Sequence, residues 1–133
     1  MRVKKVAVLG GLLLLASAMH AGTAAAAAQP GAELTLTVGT SASGDAATAR
    51  LTCDPDGGTH PSPREACDLL RSVDGEIGLL RRSPGTACTR EYAPRLASAR
   101  GVWRRTKQFA VTRTYSNRCE MLATTGVLFE FAR

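Results

Sequence analysis

The sequence opens with a basic MRVKK, runs through the apolar VAVLGGLLLLASAM, and gives way to the small-residue stretch AGTAAAAA. Beyond it the hydrophobic positions change rhythm. ELTLTV alternates strictly, with Leu34, Leu36 and Val38 on one side, which predicts a half-buried strand. ATARLTC is a second strand-like run, and the small, polar GTSASGDAA between them predicts the loop of a hairpin. DPDGGTHPSP is turn chemistry throughout, and it ends in a helix start: Ser62 as N-cap, Pro63 at the first helical position, and Glu65 completing a capping box. Ala66, Leu69, Leu70 and Val73 then fall on one helical face, and Gly75 marks the stop. GEIGLL predicts a short further turn.

In the second half of the chain RLASAR predicts a strand, Gly101 a turn, and WRRTKQFAVTRTYSN a long strand rich in β-branched and aromatic residues. Phe109, Val111 and Tyr115 share one parity, but so do Lys107 and Arg113, so a bulge or an edge position is expected. In the closing VLFEF, Val127, Phe129 and Phe131 face one way. Several antiparallel strands with one well-marked helix on a single face define an α+β domain.

The opening pattern changes the picture of where the protein works. A basic start, an apolar run and several A-x-A cleavage options predict a secretory signal peptide over residues 1–28. The run is broken by Gly10, Gly11, Ser17 and His20, short of the roughly 20 residues that a membrane span needs. Cleavage after one of Ala26 to Ala28 leaves a single secreted domain over residues 29–133, small enough to profit from covalent help. Cys53, Cys67, Cys88 and Cys119 supply it: four cysteines in an exported chain, none arranged as C-x-x-C, predict two disulfides, with three connectivities open.

The net charge of +6 falls to +3 in the mature chain, with 14 basic against 11 acidic residues, because Arg2, Lys4 and Lys5 leave with the signal peptide. Residues 81–118 hold ten basic groups and only Glu91 as an acid, interleaved with Tyr92, Trp103, Phe109 and Tyr115. Such a lobe has the ingredients of a nucleic-acid surface, but export and the ordinary role of arginine as a solubilising surface residue favour a solvated face, with neither nucleic acid nor membrane as partner. Enzymatic chemistry has little to work with. His60, the one histidine of the mature chain, reads as a turn residue beside a proline, and the oxidised cysteines cannot act as nucleophiles. Asp54 and Asp56 lack the remaining ligands of a calcium loop, so neither a metal nor another cofactor is expected.

TACTREYAPR, residues 86–95, is the stretch that points to function. It places Arg90, a residue trypsin-like proteases cut after, in a loop between Pro84 and Pro94 of an exported protein. Exposed loops are where proteases nick chains, and a basic residue between Thr89 and Glu91 is not expected to be buried. The remaining reading is a loop built to be attacked without consequence. If Cys88 pairs with Cys119, a cut between Arg90 and Glu91 leaves the fragments joined, and religation competes with release. The same bridge, β-branched Thr89 and the fixed φ of Pro94 would stiffen the loop before binding.

TLTVG at 35–39, LTC at 51–53, GTHP at 58–61 leading into ACDLL, then CTREY-x-P, GVW and YSNRCEM, resemble the Streptomyces subtilisin inhibitor-like family of secreted serine protease inhibitors over essentially the whole mature chain. The resemblance implies a five-stranded antiparallel sheet with two helices on it, bridges Cys53–Cys67 and Cys88–Cys119, and a homodimer formed through the sheets. It implies a reactive bond between Arg90 and Glu91, protease contacts from Cys88, Thr89 and Tyr92, and Asn117 as the residue bracing the loop. Expected partners are trypsin-like and subtilisin-like serine proteases. Beside this stand a metalloprotease target or a crosslinking-substrate role on the same scaffold, and an anion-binding module using the basic lobe. The chain departs from the family pattern in a first cysteine loop about one residue shorter, a strand from Trp103 to Asn117 about one longer, Ala93 where aspartate is common and Arg95 where an apolar residue is common.

Overall fold

The computed structural model describes residues 22, 24–26, 28–40 and 43–133. The expected signal segment lies almost wholly outside them, as do Ser41 and Ala42 of the expected hairpin loop. Strand β1 (Ala32–Thr40) leads into β2 (Ser43–Cys53), the two-residue β3 (Gly57–Gly58) and helix α1 (Pro63–Ser72). A 3-10 turn at Ile77–Leu79 precedes β4 (Arg95–Trp103), β5 (Lys107–Tyr115), α2 (Arg118–Thr125) and a second 3-10 turn at Gly126–Phe129. All strand pairings are antiparallel, in the order β3-β2-β1-β4-β5.

β1 pairs with β2 on one edge and β4 on the other, at the centre of the sheet, and its strict alternation gives it one buried face. Leu34, Leu36 and Val38 point inward, opposite Leu51, Ala49 and Ala47 of β2 on one side and Gly101, Ala99 and Ala97 of β4 on the other. Large side chains on the middle strand beside small ones on β4 leave room for Ala66, Cys67 and Leu70 of α1 and Met121 of α2, which close one core with Trp103, Leu128 and Phe129. A fully buried leucine in such a layer contributes about 2 kcal/mol.

Gly101 is not the turn that its sequence neighbourhood suggests. It lies inside β4 at φ 153°, where a Cβ would sit 2.0 Å from the Glu33 carbonyl oxygen of β1. The chain reverses instead at Arg104–Thr106, so the expected long strand from Trp103 is divided there. Arg104 and Arg105 take positive φ values of 50° and 64°, held by the Arg104–Asp74 ion pair at 2.9 Å and the Arg105 N–H on the Gly31 carbonyl at 2.9 Å. The β4–β5 ladder has no register shift, so Lys107 and Arg113 break the alternation because β5 is an edge strand and not because of a bulge. Among the described residues the register shifts between Gly39 and Thr40.

Helix α1 begins at Pro63 as expected, but the capping box does not form. The Ser62 side chain makes no cap hydrogen bond, and its backbone N–H donates to His60 Nδ1 at 3.0 Å. That bond leaves the proton on Nε2, which donates to the Leu128 carbonyl at 3.2 Å. His60 is therefore a buried pin between the turn and the C-terminal segment, edge-on to Phe131, and more than a turn residue. The helix ends at Ser72 with Val73 as its C-cap, and the left-handed residue after it is Asp74 at φ 49°, one position before Gly75, whose N–H returns to the Leu70 carbonyl at 2.8 Å in a Schellman closure.

VLFEF is not a strand. It follows α2 as a 3-10 turn that buries Leu128 and Phe129. α2 was silent to periodicity because its apolar residues Met121, Leu122 and Ala123 are consecutive and followed by two threonines, which gives no stripe at helical spacing.

Candidate functional site

Residues 81–94 connect the first 3-10 turn to β4 with no helix or strand. Buried Leu80 holds the start of the loop, and at its far end the Ala93 N–H donates to the Ser116 carbonyl at 2.9 Å. In between, Thr89, Arg90, Glu91 and Tyr92 are exposed, Tyr92 to 79% of its surface. Arg90 makes no ion pair or hydrogen bond among the described residues, so its guanidinium is free to meet a partner. Exposure of this kind in a loop without ladder hydrogen bonds normally means disorder. Two attachments to the start of α2 prevent it.

The first is covalent. Cys88 is bonded to Cys119, the second residue of α2, with Cα atoms 5.7 Å apart, and Cys53 is bonded to Cys67. This pairing selects one of the three connectivities and spans the Arg90–Glu91 bond. The loop-closure relation assigns about 3.7 kcal/mol to the longer bridge, which joins residues separated by 31 positions.

The second attachment is Asn117. Its side chain is buried, and its Nδ2 donates both hydrogens, to the Thr89 carbonyl at 3.1 Å and the Glu91 carbonyl at 2.9 Å. Those carbonyls flank Arg90, so one amide group grips the chain on both sides of it. The amide cannot turn over, because Oδ1 accepts the Glu120 N–H at 2.9 Å as the N-cap of α2. The helix N-terminus thus fixes the orientation of the amide, and the amide fixes the curvature of the loop. Every sequence-predicted residue of the site, Cys88, Thr89, Arg90, Glu91, Tyr92, Asn117 and Cys119, falls in this one region. Asn117 as a helix cap was missed, although the Asn-x-x-Glu spacing of Asn117 and Glu120 carries that signal.

The competing chemistries are not assembled. Asp54 and Asp56 are engaged by the Arg71 guanidinium, which also pairs with Asp68 at 2.8 Å. That guanidinium holds the Asp56 carboxyl below its usual value and raises its own, as an ion pair does. The one group of metal-ligating side chains among the described residues is Cys53, Asp56 and Cys67, and its two sulfurs are spent on each other. The basic lobe is dispersed: Arg104 pairs with Asp74 and Lys107 with Glu76, Arg100 sits on the outward parity of β4, and Arg113 on the inward parity of β5.

An exposed segment, chained by a disulfide and an asparagine clamp to a helix on an antiparallel sheet, has the form of a substrate that cannot relax, which is the architecture of a protein inhibitor of proteases. Residues 20–117 match the family profile described as subtilisin inhibitor-like, and the chain belongs to that family, whose members are protease inhibitors and not enzymes. It is 42% identical over 111 residues to Subtilisin inhibitor-like protein 12 of Streptomyces hygroscopicus, covering 77% of this chain and 97% of that one. It is 42% identical over 83 residues to the Transglutaminase-activating metalloprotease inhibitor of Streptomyces mobaraensis, covering 61% of this chain and 55% of that one. Among solved structures, Streptomyces caespitosus sermetstatin, crystallised in complex with Bacillus licheniformis subtilisin, superposes with a TM-score of 0.63 and 30% identity. The match covers 75% of this chain and 98% of sermetstatin.

Proposed function

We propose that this chain is an exported inhibitor that offers the Arg90–Glu91 peptide bond to serine proteases as a substrate and survives the encounter. The observation that carries the reading is the double grip of Asn117 on the carbonyls of Thr89 and Glu91, next to the bridge from Cys88 to Cys119. A protease serine attacking the Arg90 carbonyl would form an acyl-enzyme and free the Glu91 amine. Asn117 and the Ala93–Ser116 hydrogen bond keep that amine beside the acyl carbon, so the reverse attack, which restores the peptide and releases the serine, outruns hydrolysis. Arg90 suits pockets that end in a carboxylate, which selects trypsin-like enzymes. Subtilisin-like targets follow from the subtilisin-bound sermetstatin neighbour. The signal-peptide pattern of residues 1–28 supports export of the inhibitor, and the outward sheet face is the surface through which it would dimerise.

Stoichiometric incubation with trypsin, followed by intact mass with and without reduction, tests the proposal. It expects loss of trypsin activity and one clip after Arg90, visible only after reduction. Replacing Arg90 by Met should weaken trypsin inhibition by about a hundredfold, the worth of a buried charged pair in a specificity pocket, and leave subtilisin inhibition within a few-fold; unchanged trypsin inhibition sinks the assignment of Arg90. A second reading, inhibition of a secreted metalloprotease, draws on the name of the Streptomyces mobaraensis relative. Inhibition of a chelator-sensitive protease that persists in Arg90→Met would favour it.

A further inference from the structure

We propose that Arg82 is a positioning residue of the inhibitory loop, acting on the stretch before Cys88 that neither the disulfide nor the Asn117 clamp reaches; the inference rests on the reactive-bond reading. The carboxy-side arm is held at Glu91 by the Asn117 side-chain amide and at Ala93 by the Ser116 carbonyl. On the amino side, Asn117 holds the Thr89 carbonyl and the bridge holds the Cys88 sulfur, but neither reaches the chain before Cys88. Arg82 sets the direction from which the chain reaches it. Its Nη2 donates to the Thr86 carbonyl at 2.6 Å, two residues before Cys88, and its Nη1 forms an ion pair with Glu120. The neighbouring Ser83 N–H donates to the Ala123 carbonyl at 2.8 Å, so this arm lies along α2.

Glu120 is also the residue whose N–H is capped by Asn117. The first turn of α2 therefore holds both arms: Asn117 carries Thr89 and Glu91, Cys119 carries Cys88, and Glu120 carries Thr86 through Arg82. A guanidinium suits this task, because its rigid planar fork presents one nitrogen to the carbonyl and the other to the carboxylate, an arrangement that the flexible single nitrogen of an ammonium does not hold in advance. The brace matters most once the Arg90–Glu91 bond is cut. In the intact loop the continuing chain already restrains Thr86 to Arg90; after the cut, Arg82 limits how far the new carboxylate end swings from the Glu91 amine. Losing it favours the clipped form.

The test incubates the mature wild-type protein, Arg82→Gln, Arg82→Lys and Glu120→Gln with a catalytic amount of trypsin, starting from intact and from clipped inhibitor. The clipped-to-intact ratio at equilibrium is read by mass after reduction, beside a melting curve. Arg82→Gln should raise the ratio about tenfold, the equivalent of about 1.4 kcal/mol, the yield of one part-exposed charged hydrogen bond. Arg82→Lys should stay raised and Glu120→Gln should rise by less. A wild-type-like ratio in Arg82→Gln with the clip at Arg90–Glu91, whether or not the melting temperature falls, overturns the proposal. Should Arg82→Gln not fold, Arg82→Lys decides by the same criterion. A clip at another bond in the wild-type chain overturns the reactive-bond reading and this inference with it.

Discussion

Asn117 serves two structures with one side chain, and substitution can separate them. Asp at 117 keeps an oxygen where Oδ1 accepts the Glu120 N–H, and its charge is favourable at a helix N-terminus, so α2 should remain capped. It removes the amide donor, and with it both hydrogen bonds to the Thr89 and Glu91 carbonyls, and sets a carboxylate oxygen against them. Two lost hydrogen bonds at about 1 kcal/mol each make about 2 kcal/mol, or roughly a thirtyfold loss in the stability of the inhibitory loop shape. Ala at 117 loses the same two bonds and the cap as well, a further cost of about 1 kcal/mol, which lowers the melting temperature of a domain this size by roughly 4–8 °C. The assay compares inhibition constants against trypsin and a subtilisin with thermal melts for wild type, Asn117→Asp and Asn117→Ala. The expected pattern is inhibition weakened by at least about thirtyfold in both variants, with near-wild-type melting in Asn117→Asp only. Wild-type inhibition by Asn117→Asp, or equal melting losses in the two, would refute the separation.

Other consequences follow from the same structure. Replacing Cys53 and Cys67 by Ala should cost about 3 kcal/mol of stability while inhibition persists at temperatures where the chain is folded. Replacing Cys88 and Cys119 should cost about 3.7 kcal/mol and also turn the inhibitor into a consumed substrate whose fragments separate on a non-reducing gel. Gly101→Ala puts a methyl 2.0 Å from a backbone carbonyl in the central β1–β4 seam and should lower unfolding stability by about 3 kcal/mol or more, read as a shift in the urea midpoint. Acid should unfold the domain from below the carboxylate range: the Arg71 hydrogen bond lowers Asp56 and the Trp103 Nε1–H hydrogen bond lowers Asp74, each from 3.8. Depressed folded-state values mean that their stabilisation is complete above the unfolded value and is lost as pH falls through the folded one. The melting temperature should then hold from about pH 6 to about pH 4 and drop below it, more steeply in wild type than in Asp56→Asn; a flat profile down to about pH 2 would show the reasoning wrong.

Local patterns in the chain determined much of this protein. The alternation of Leu34, Leu36 and Val38 marked β1, Pro63 marked the start of α1, and four cysteines in a chain expected to be exported pointed to two disulfides. The loop at 86–95 was legible because an arginine after a cysteine and before a proline is costly in a chain expected to be exported unless something restrains it. These signals are local: each depends on residues within one turn or one strand.

What only the tertiary structure decided are the placements that depend on a distant partner. Gly101 reads as a turn until β1 is set beside it, when the Glu33 carbonyl shows why no side chain fits in that strand. His60 reads as a turn residue until the Leu128 carbonyl, far along the chain, takes its Nε2 proton. α2 has no helical stripe of its own, and it is ordered by burying Met121 against the sheet and by Asn117 capping its first turn. The loop at 86–95 depends on that helix for its shape. Hydrogen bonds and contacts between residues far apart in sequence carry no local periodicity, and only the folded chain brings Asn117, Cys119 and Glu120 under the loop they hold.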